Sequence, residues 1–110
     1  MQLTKKYYQT ADKREPAKEF ISGLEKLPRL KIFSQIDRAK LGNFGKGHGV
    51  GGISELVIDY GPGYRVYYSI VENNLVILLL TAGTKKTQAQ DIKLAREYLK
   101  DFELRRRGLR

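Results

Sequence analysis

Cysteine is absent from the sequence. Disulfide staples, cysteine-ligated zinc and cysteine nucleophiles are therefore excluded, and a reducing compartment is compatible with every residue present. Histidine occurs once, at His48, and no cluster of histidines and carboxylates is visible that would bind a metal. Long hydrophobic runs are missing too. The longest, Leu75 to Leu80, is far too short to span a bilayer. The amino-terminal MQLTKKYYQT has no apolar stretch of the kind a secretory signal needs. The expectation is a soluble, cytoplasmic protein without membrane contact, metal or cofactor. Acidic residues are also scarce: 12 Asp and Glu stand against 21 Lys and Arg, a net charge of +9. That field suits a polyanion such as RNA, DNA or the ribosome, and it suits an acidic protein equally well.

What is present is enough for one folded domain over 1–110: the chain is 41% hydrophobic, can bury a single modest core, and shows no linker or internal repeat. Residues 3–9 read as a strand. A helix is expected to start between Asp12 and Pro16, with Ala17, Phe20, Ile21, Leu24 and Leu27 as its apolar stripe, and to end at Pro28. A second helix opens there and continues the stripe through Leu30, Phe33 and Ile36, giving a helical hairpin. Six glycines crowd positions 42–52, which read as a mobile loop. Three strands follow, over Ile53–Tyr60, Tyr64–Val71 and Leu75–Ala82. The turns between them are Gly61-Pro62-Gly63 and Glu72-Asn73-Asn74. The third strand is apolar on both sides, as a central strand should be. Thr87 and Gln90 have the spacing of a capping box for a last helix, whose inward stripe is Ile92, Ala95, Leu99 and Phe102. The order predicts an α+β domain: a small antiparallel sheet of about four strands with all helices on one face.

That arrangement leaves the other face open, and alternation places Arg65 and Tyr67 on it. Arginine offers a planar fork for phosphate oxygens and tyrosine a stacking surface for an unpaired base. Lys85 and Lys86 follow where the central strand leaves the sheet. Each of these residues taken singly is also compatible with a solvated surface charge. His48 has the chemistry of a general acid or base near neutral pH, and equally of an exposed loop side chain. The GxGxGG-like run at 45–52 follows a helix and precedes a strand, the wrong context for a nucleotide-binding loop. Arg105, Arg106, Arg107 and Arg110 suit either RNA contact or a helix carboxyl end, where cations are favoured.

Two segments carry a family resemblance. ISELVIDYGPGYRVYYSI and LVILLLTAGTKKTQAQDI, spanning Ile53 to Asp91 and the residue after it, resemble the addiction module killer protein branch of the RelE/HigB-like toxins. The carrying patterns are ELxIDYGPGYRVY and xLLxxGxKxTQxxDI; the preceding LGNFG loop and helical hairpin are similar as well. The resemblance implies a RelE-like fold and a ribosome-dependent mRNA endoribonuclease, held inactive by a cognate antitoxin, usually a helix-turn-helix protein. Its chemistry would be metal-independent attack of a 2′-hydroxyl on the adjacent phosphate. Carried over by residue, Arg65 is the phosphate or transition-state contact, Lys85, with Lys86 adjacent, the basic residue after the strand-ending glycine, and Asp91 a further catalytic position. Apart from the resemblance, His48, Glu55 and Asp91 are the residues whose chemistry suits the base. Charge and the expected open face, rather than the resemblance, nominate Lys46, Tyr67, Lys86, Arg105 and Arg106 as RNA contacts. The chain departs from the pattern at Val57, where the family commonly carries arginine. That departure keeps open a gyrase-poisoning ParE-like toxin of the same fold, and charge alone keeps open a non-catalytic RNA- or ribosome-binding module.

Overall fold

The computed structural model describes residues 2–45, 47, 49–50 and 52–109. Lys46 and His48, both nominated above, lie outside the described residues. Strand β1 is Thr4–Tyr7, followed by helices α1 (Pro16–Ser22) and α2 (Lys26–Lys40). Strands β2 (Gly49–Val50), β3 (Ile53–Ile58), β4 (Tyr64–Val71) and β5 (Val76–Thr84) come next. A 3₁₀ turn at Lys85–Thr87 then leads into α3 (Gln88–Arg106). The class is α+β, and the sheet order is β1-β5-β4-β3-β2.

Proline opens α1 at its first position, where the missing N–H would have had no helical partner in any case. The helix stops at Gly23, whose N–H reaches back to the Glu19 carbonyl at 3.2 Å. Pro28 does not end α1; it sits inside the first turn of α2, a position equally tolerant of a missing N–H. The hairpin therefore turns about five residues earlier than the apolar stripe suggests. Leu27 and Leu30 fall on the outside as a result, and Ile32, Ile36 and Ala39 form the buried stripe.

Two expectations for the sheet need correction. The sheet is mixed rather than antiparallel: β1 pairs parallel to β5, with Thr4 opposite Val76 and Tyr7 opposite Leu79. The connection between them runs through α1, α2 and the strands β2 to β4, far longer than the crossover that parallel pairing requires. Part of the glycine-rich segment is also ordered, because Gly49 and Val50 pair antiparallel with Ser54 and Ile53.

The helices do not share one face. Ala17, Ile21, Ile32, Ile36 and Ala39 of α1 and α2 pack on Leu56, Ile58, Val66, Tyr68, Ile77 and Leu79. On the opposite face Ile92, Ala95, Tyr98, Leu99 and Phe102 of α3 cover Tyr8, Ile53, Tyr67, Leu78 and Leu80. The reason lies in β5. Its side chains are apolar on both faces, and each fully buried leucine there stabilises the fold by roughly 1.5–3 kcal/mol only if something covers it. Helix α3 supplies that cover. Among the described residues no helix is long and apolar enough to cross a membrane.

Candidate active site

Cross-strand register builds the site in two rows. Glu55 of β3 lies opposite Tyr67 of β4, which lies opposite Thr81 of β5. One step along, Val57 lies opposite Arg65, and Arg65 opposite Gly83. Side chains two apart on a strand share a face, so both rows face α3. Beyond Tyr67 the pairing slips: Tyr68 pairs with Leu79, and Leu80 is left without a β4 partner.

Helix α3 meets these rows with its first turns. Asp91 is only 8% exposed, and Thr87 donates its hydroxyl to Asp91 Oδ2 at 2.6 Å. Burial raises the Asp91 carboxyl above the ordinary aspartate range, and the Thr87 hydrogen bond opposes that rise. A Cβ placed on Gly83 would overlap Asp91 Oδ2 and crowd the Thr87 hydroxyl, so glycine alone lets the carboxylate approach the β5 backbone this closely. Glu55 is 2% exposed, and both of its carboxylate oxygens accept from Gln88 Nε2, at 3.1 and 3.3 Å. The Tyr67 hydroxyl is buried without a hydrogen-bond partner among the described residues. Burial and the neighbouring charges of Glu55 and Asp91 push its pKa up, while Arg65 pulls it down.

Arg65 and Lys85 form the cationic corner. Arg65 is half-buried and has no carboxylate partner among the described residues; its Nη1 makes only a 3.4 Å contact with the Tyr64 carbonyl. Its Nε is buried with no acceptor among the described residues. Unsatisfied buried donors are rare, and a guanidinium without a carboxylate partner presents a planar fork that fits phosphate oxygens. The Lys85 N–H donates to the Gly63 carbonyl at 2.8 Å, which ties the 3₁₀ turn to the Gly61–Gly63 turn. A Cβ on Gly63 would stand 3.1 Å from Arg65 Nη1 and 3.5 Å from Lys85 Cβ, so the Arg65 guanidinium and the base of the Lys85 side chain flank the same turn. The amino end of the 19-residue α3 adds its positive dipole end to that region.

The structure thus brings Arg65, Lys85, Asp91 and Glu55 to one junction. Lys86 is exposed on the same 3₁₀ turn. Tyr67 is a correction: its ring is 0% exposed beneath α3 and is no platform for a base. Arg105 and Arg106 lie at the other end of α3, about 21 Å along the helix axis from Asp91. Arg105 is also engaged there: its Nη2 lies 2.7 Å from Asp101 Oδ2 and donates to the Gln9 carbonyl, and its guanidinium sits over the Tyr8 ring. The predicted capping box at Thr87 and Gln90 is displaced by one turn, because Thr87 Oγ1 accepts from the Thr84 N–H at 3.3 Å. Gly83, Thr87 and Gln88 join the site without having been nominated. All three are fixed letters of the TQxxDI-type segment, which was the available signal. Among the described residues no group of three or more His, Cys, Asp or Glu side chains could hold a metal ion.

Comparison with known proteins gives one relative. A protein of Haemophilus influenzae (strain ATCC 51907 / DSM 11121 / KW20 / Rd), named only as uncharacterized, is 46% identical over 82 residues. The match covers 70% of this chain and 82% of that protein. The chain belongs to the family of that Haemophilus protein. No family model matches the chain, and no solved structure matches it.

Proposed function

We propose that this protein is the toxin of a type II toxin–antitoxin pair, with a RelE-like fold and ribosome-dependent mRNA endoribonuclease activity in the cytoplasm. One observation carries the reading. Glu55 and Arg65 of one toxin-like segment meet Gly83, Lys85, Thr87, Gln88 and Asp91 of the other at a single junction, whose arginine has no carboxylate partner among the described residues.

The proposed reaction is transesterification. The 2′-hydroxyl of one nucleotide attacks the adjacent phosphorus, the P–O5′ bond breaks, and the products are a 2′,3′-cyclic phosphate and a 5′-hydroxyl. Arg65 and Lys85 stabilise the charge that builds on the phosphorane oxygens. Asp91 takes the 2′-proton, since its raised pKa makes it a stronger base than an exposed aspartate. Lys85, exposed at the rim, returns a proton to the departing 5′-oxygen. Glu55 orients Gln88 through its two hydrogen bonds. The substrate is mRNA held by the ribosome, which supplies in-line positioning. DNA is inert because it lacks the nucleophile. The partner that silences this activity is a cognate antitoxin, a helix-turn-helix protein.

Induction of the protein in cells, followed by mapping of mRNA 5′ ends, tests the reading. The expected result is a rapid stop in translation with new 5′-hydroxyl ends inside coding regions. DNA-damage signalling with mRNA intact would instead support a gyrase-poisoning toxin, and binding of RNA without new ends would leave a non-catalytic module.

A further inference from the structure

The second site is an edge. Strand β1 is terminal in the sheet and pairs only with β5. The Thr4 N–H donates to the Leu75 carbonyl and the Tyr8 N–H to the Leu79 carbonyl, both at 2.9 Å. Alternation along a strand therefore turns the N–H and C=O of Lys5 and Tyr7 away from β5. Among the described residues nothing accepts from either N–H. Upstream the edge is closed, because the Leu3 N–H donates to the Lys40 carbonyl at 2.7 Å. A short, defined stretch of backbone is left open.

Clefts flank this stretch on both faces of the sheet. One is lined by Lys6, Gln9, Phe102, Arg105 and Arg106 among others, the other by Leu3, Thr4, Lys5 and Lys40. Lysine caps an aromatic on each side: Lys5 Nζ is 5.5 Å from the Phe33 ring centre, and Lys6 Nζ is 5.7 Å from that of Phe102. Among the described residues the only acid lining either cleft is Glu72, 3.8 Å from Lys6 Nζ.

We infer that β1 is a docking edge for an extended acidic segment of a partner protein, which adds to the sheet as a sixth strand. An added strand points alternate side chains to opposite faces, so successive residues would enter the two clefts in turn and meet a lysine in each, Lys6 beside Phe102 in one and Lys5 with Lys40 in the other. Charge complementarity sets the partner's sign. A second copy of this chain would set its own Lys5 and Lys6 against these lysines, and edge lysines of this kind oppose self-pairing. RNA is the poorer occupant, because the open backbone offers carbonyl oxygens as well as N–H groups and a phosphodiester can only accept. The inference is independent of the ribonuclease reading, since it uses the edge of the sheet farthest from β3.

Selection of a displayed library of random ten-residue peptides on the immobilised full-length protein tests it. Enriched peptides are expected to carry acidic residues among β-formers and to slow hydrogen exchange at the Lys5 and Tyr7 amides. Lys5→Pro removes one outward N–H while keeping the β1–β5 ladder, and about tenfold weaker binding is expected. The Lys5→Glu/Lys6→Glu double variant keeps the backbone intact and is expected to lose the acidic peptides, so the outcome does not hang on the proline variant folding. Failure to enrich acidic peptides, binding that both variants retain, or protection of the same amides by polyuridylate in place of peptide would overturn the inference.

Discussion

Gly83 and Asp91 occupy each other's space: the carboxylate of Asp91 sits where any side chain at position 83 would have to go. The contact joins the end of the central strand to the first turn of α3, and it aligns the two halves of the site. A substitution at either residue is therefore felt by the other.

Gly83→Ala is expected to displace Asp91 and to destabilise the protein by about 1–3 kcal/mol, the usual cost of forcing extra volume into a packed site. Removing the obstructing carboxylate should relieve it. In urea denaturation the Gly83→Ala/Asp91→Ala double variant is expected to be more stable than the sum of the two single changes allows. Strict additivity would show that the two residues do not compete for space.

Asp91→Asn is expected to stabilise the protein near neutral pH while abolishing most activity. The folded carboxyl has a raised pKa, so between the ordinary aspartate value and the raised one the native state binds more protons than the unfolded state. Stability therefore falls as pH rises through that window, and asparagine removes the fall. A melting-temperature series across pH 3–8 checks the slope, and cleavage of ribosome-bound mRNA checks the activity, expected to drop by about 10²–10⁴.

Val57→Arg sets a second guanidinium directly across from Arg65. Faster RNA cleavage is expected, together with a stability loss of about 0.2–1 kcal/mol from two like charges facing each other. If the variant loses stability and gains nothing in a cleavage assay, the corner does not act on phosphate.

Tyr8→Phe should affect stability and leave activity alone. The Tyr8 hydroxyl donates to Asp101 Oδ2 at 2.6 Å, its ring stacks on Tyr98 with centres 4.8 Å apart, and Arg105 closes the network. Losing the hydroxyl is expected to cost about 1–3 kcal/mol. Burial, reinforced by the Asp101 hydrogen bond and charge, pushes the Tyr8 pKa up to about 12. From pH 10 to 12 the native state thus retains a proton that the unfolded state has lost, and stability declines with pH. Chemical denaturation at pH 9 and pH 11.5 should show a shallower decline for Tyr8→Phe than for the wild type.

The strands and the last helix were legible because their patterns are strong. Tyr64–Val71 has the bounds that alternation gives it, and the Ile92, Ala95, Leu99 and Phe102 stripe is the face that packs. The layering differs from the expected one-sided arrangement, although its signal is present in the sequence. A strand as apolar on both sides as Leu75–Ala82 demands cover on both faces, and an open face beside it was inconsistent with that demand. Tyr67 is buried for the same reason. Pro28 misled because proline marks a helix start as readily as a stop. The Gln88 bond to Glu55 spans 33 positions, and no local pattern reports a contact of that range.

Arg65→Ala measures the central claim most directly. Purified wild-type and variant proteins are each incubated with ribosomes translating a defined mRNA, and 5′-hydroxyl ends are counted over time. The guanidinium is half-buried with no carboxylate partner among the described residues, so its loss should leave the fold intact while lowering the cleavage rate by about 10²–10³. A folded Arg65→Ala protein that cuts at the wild-type rate would contradict the account.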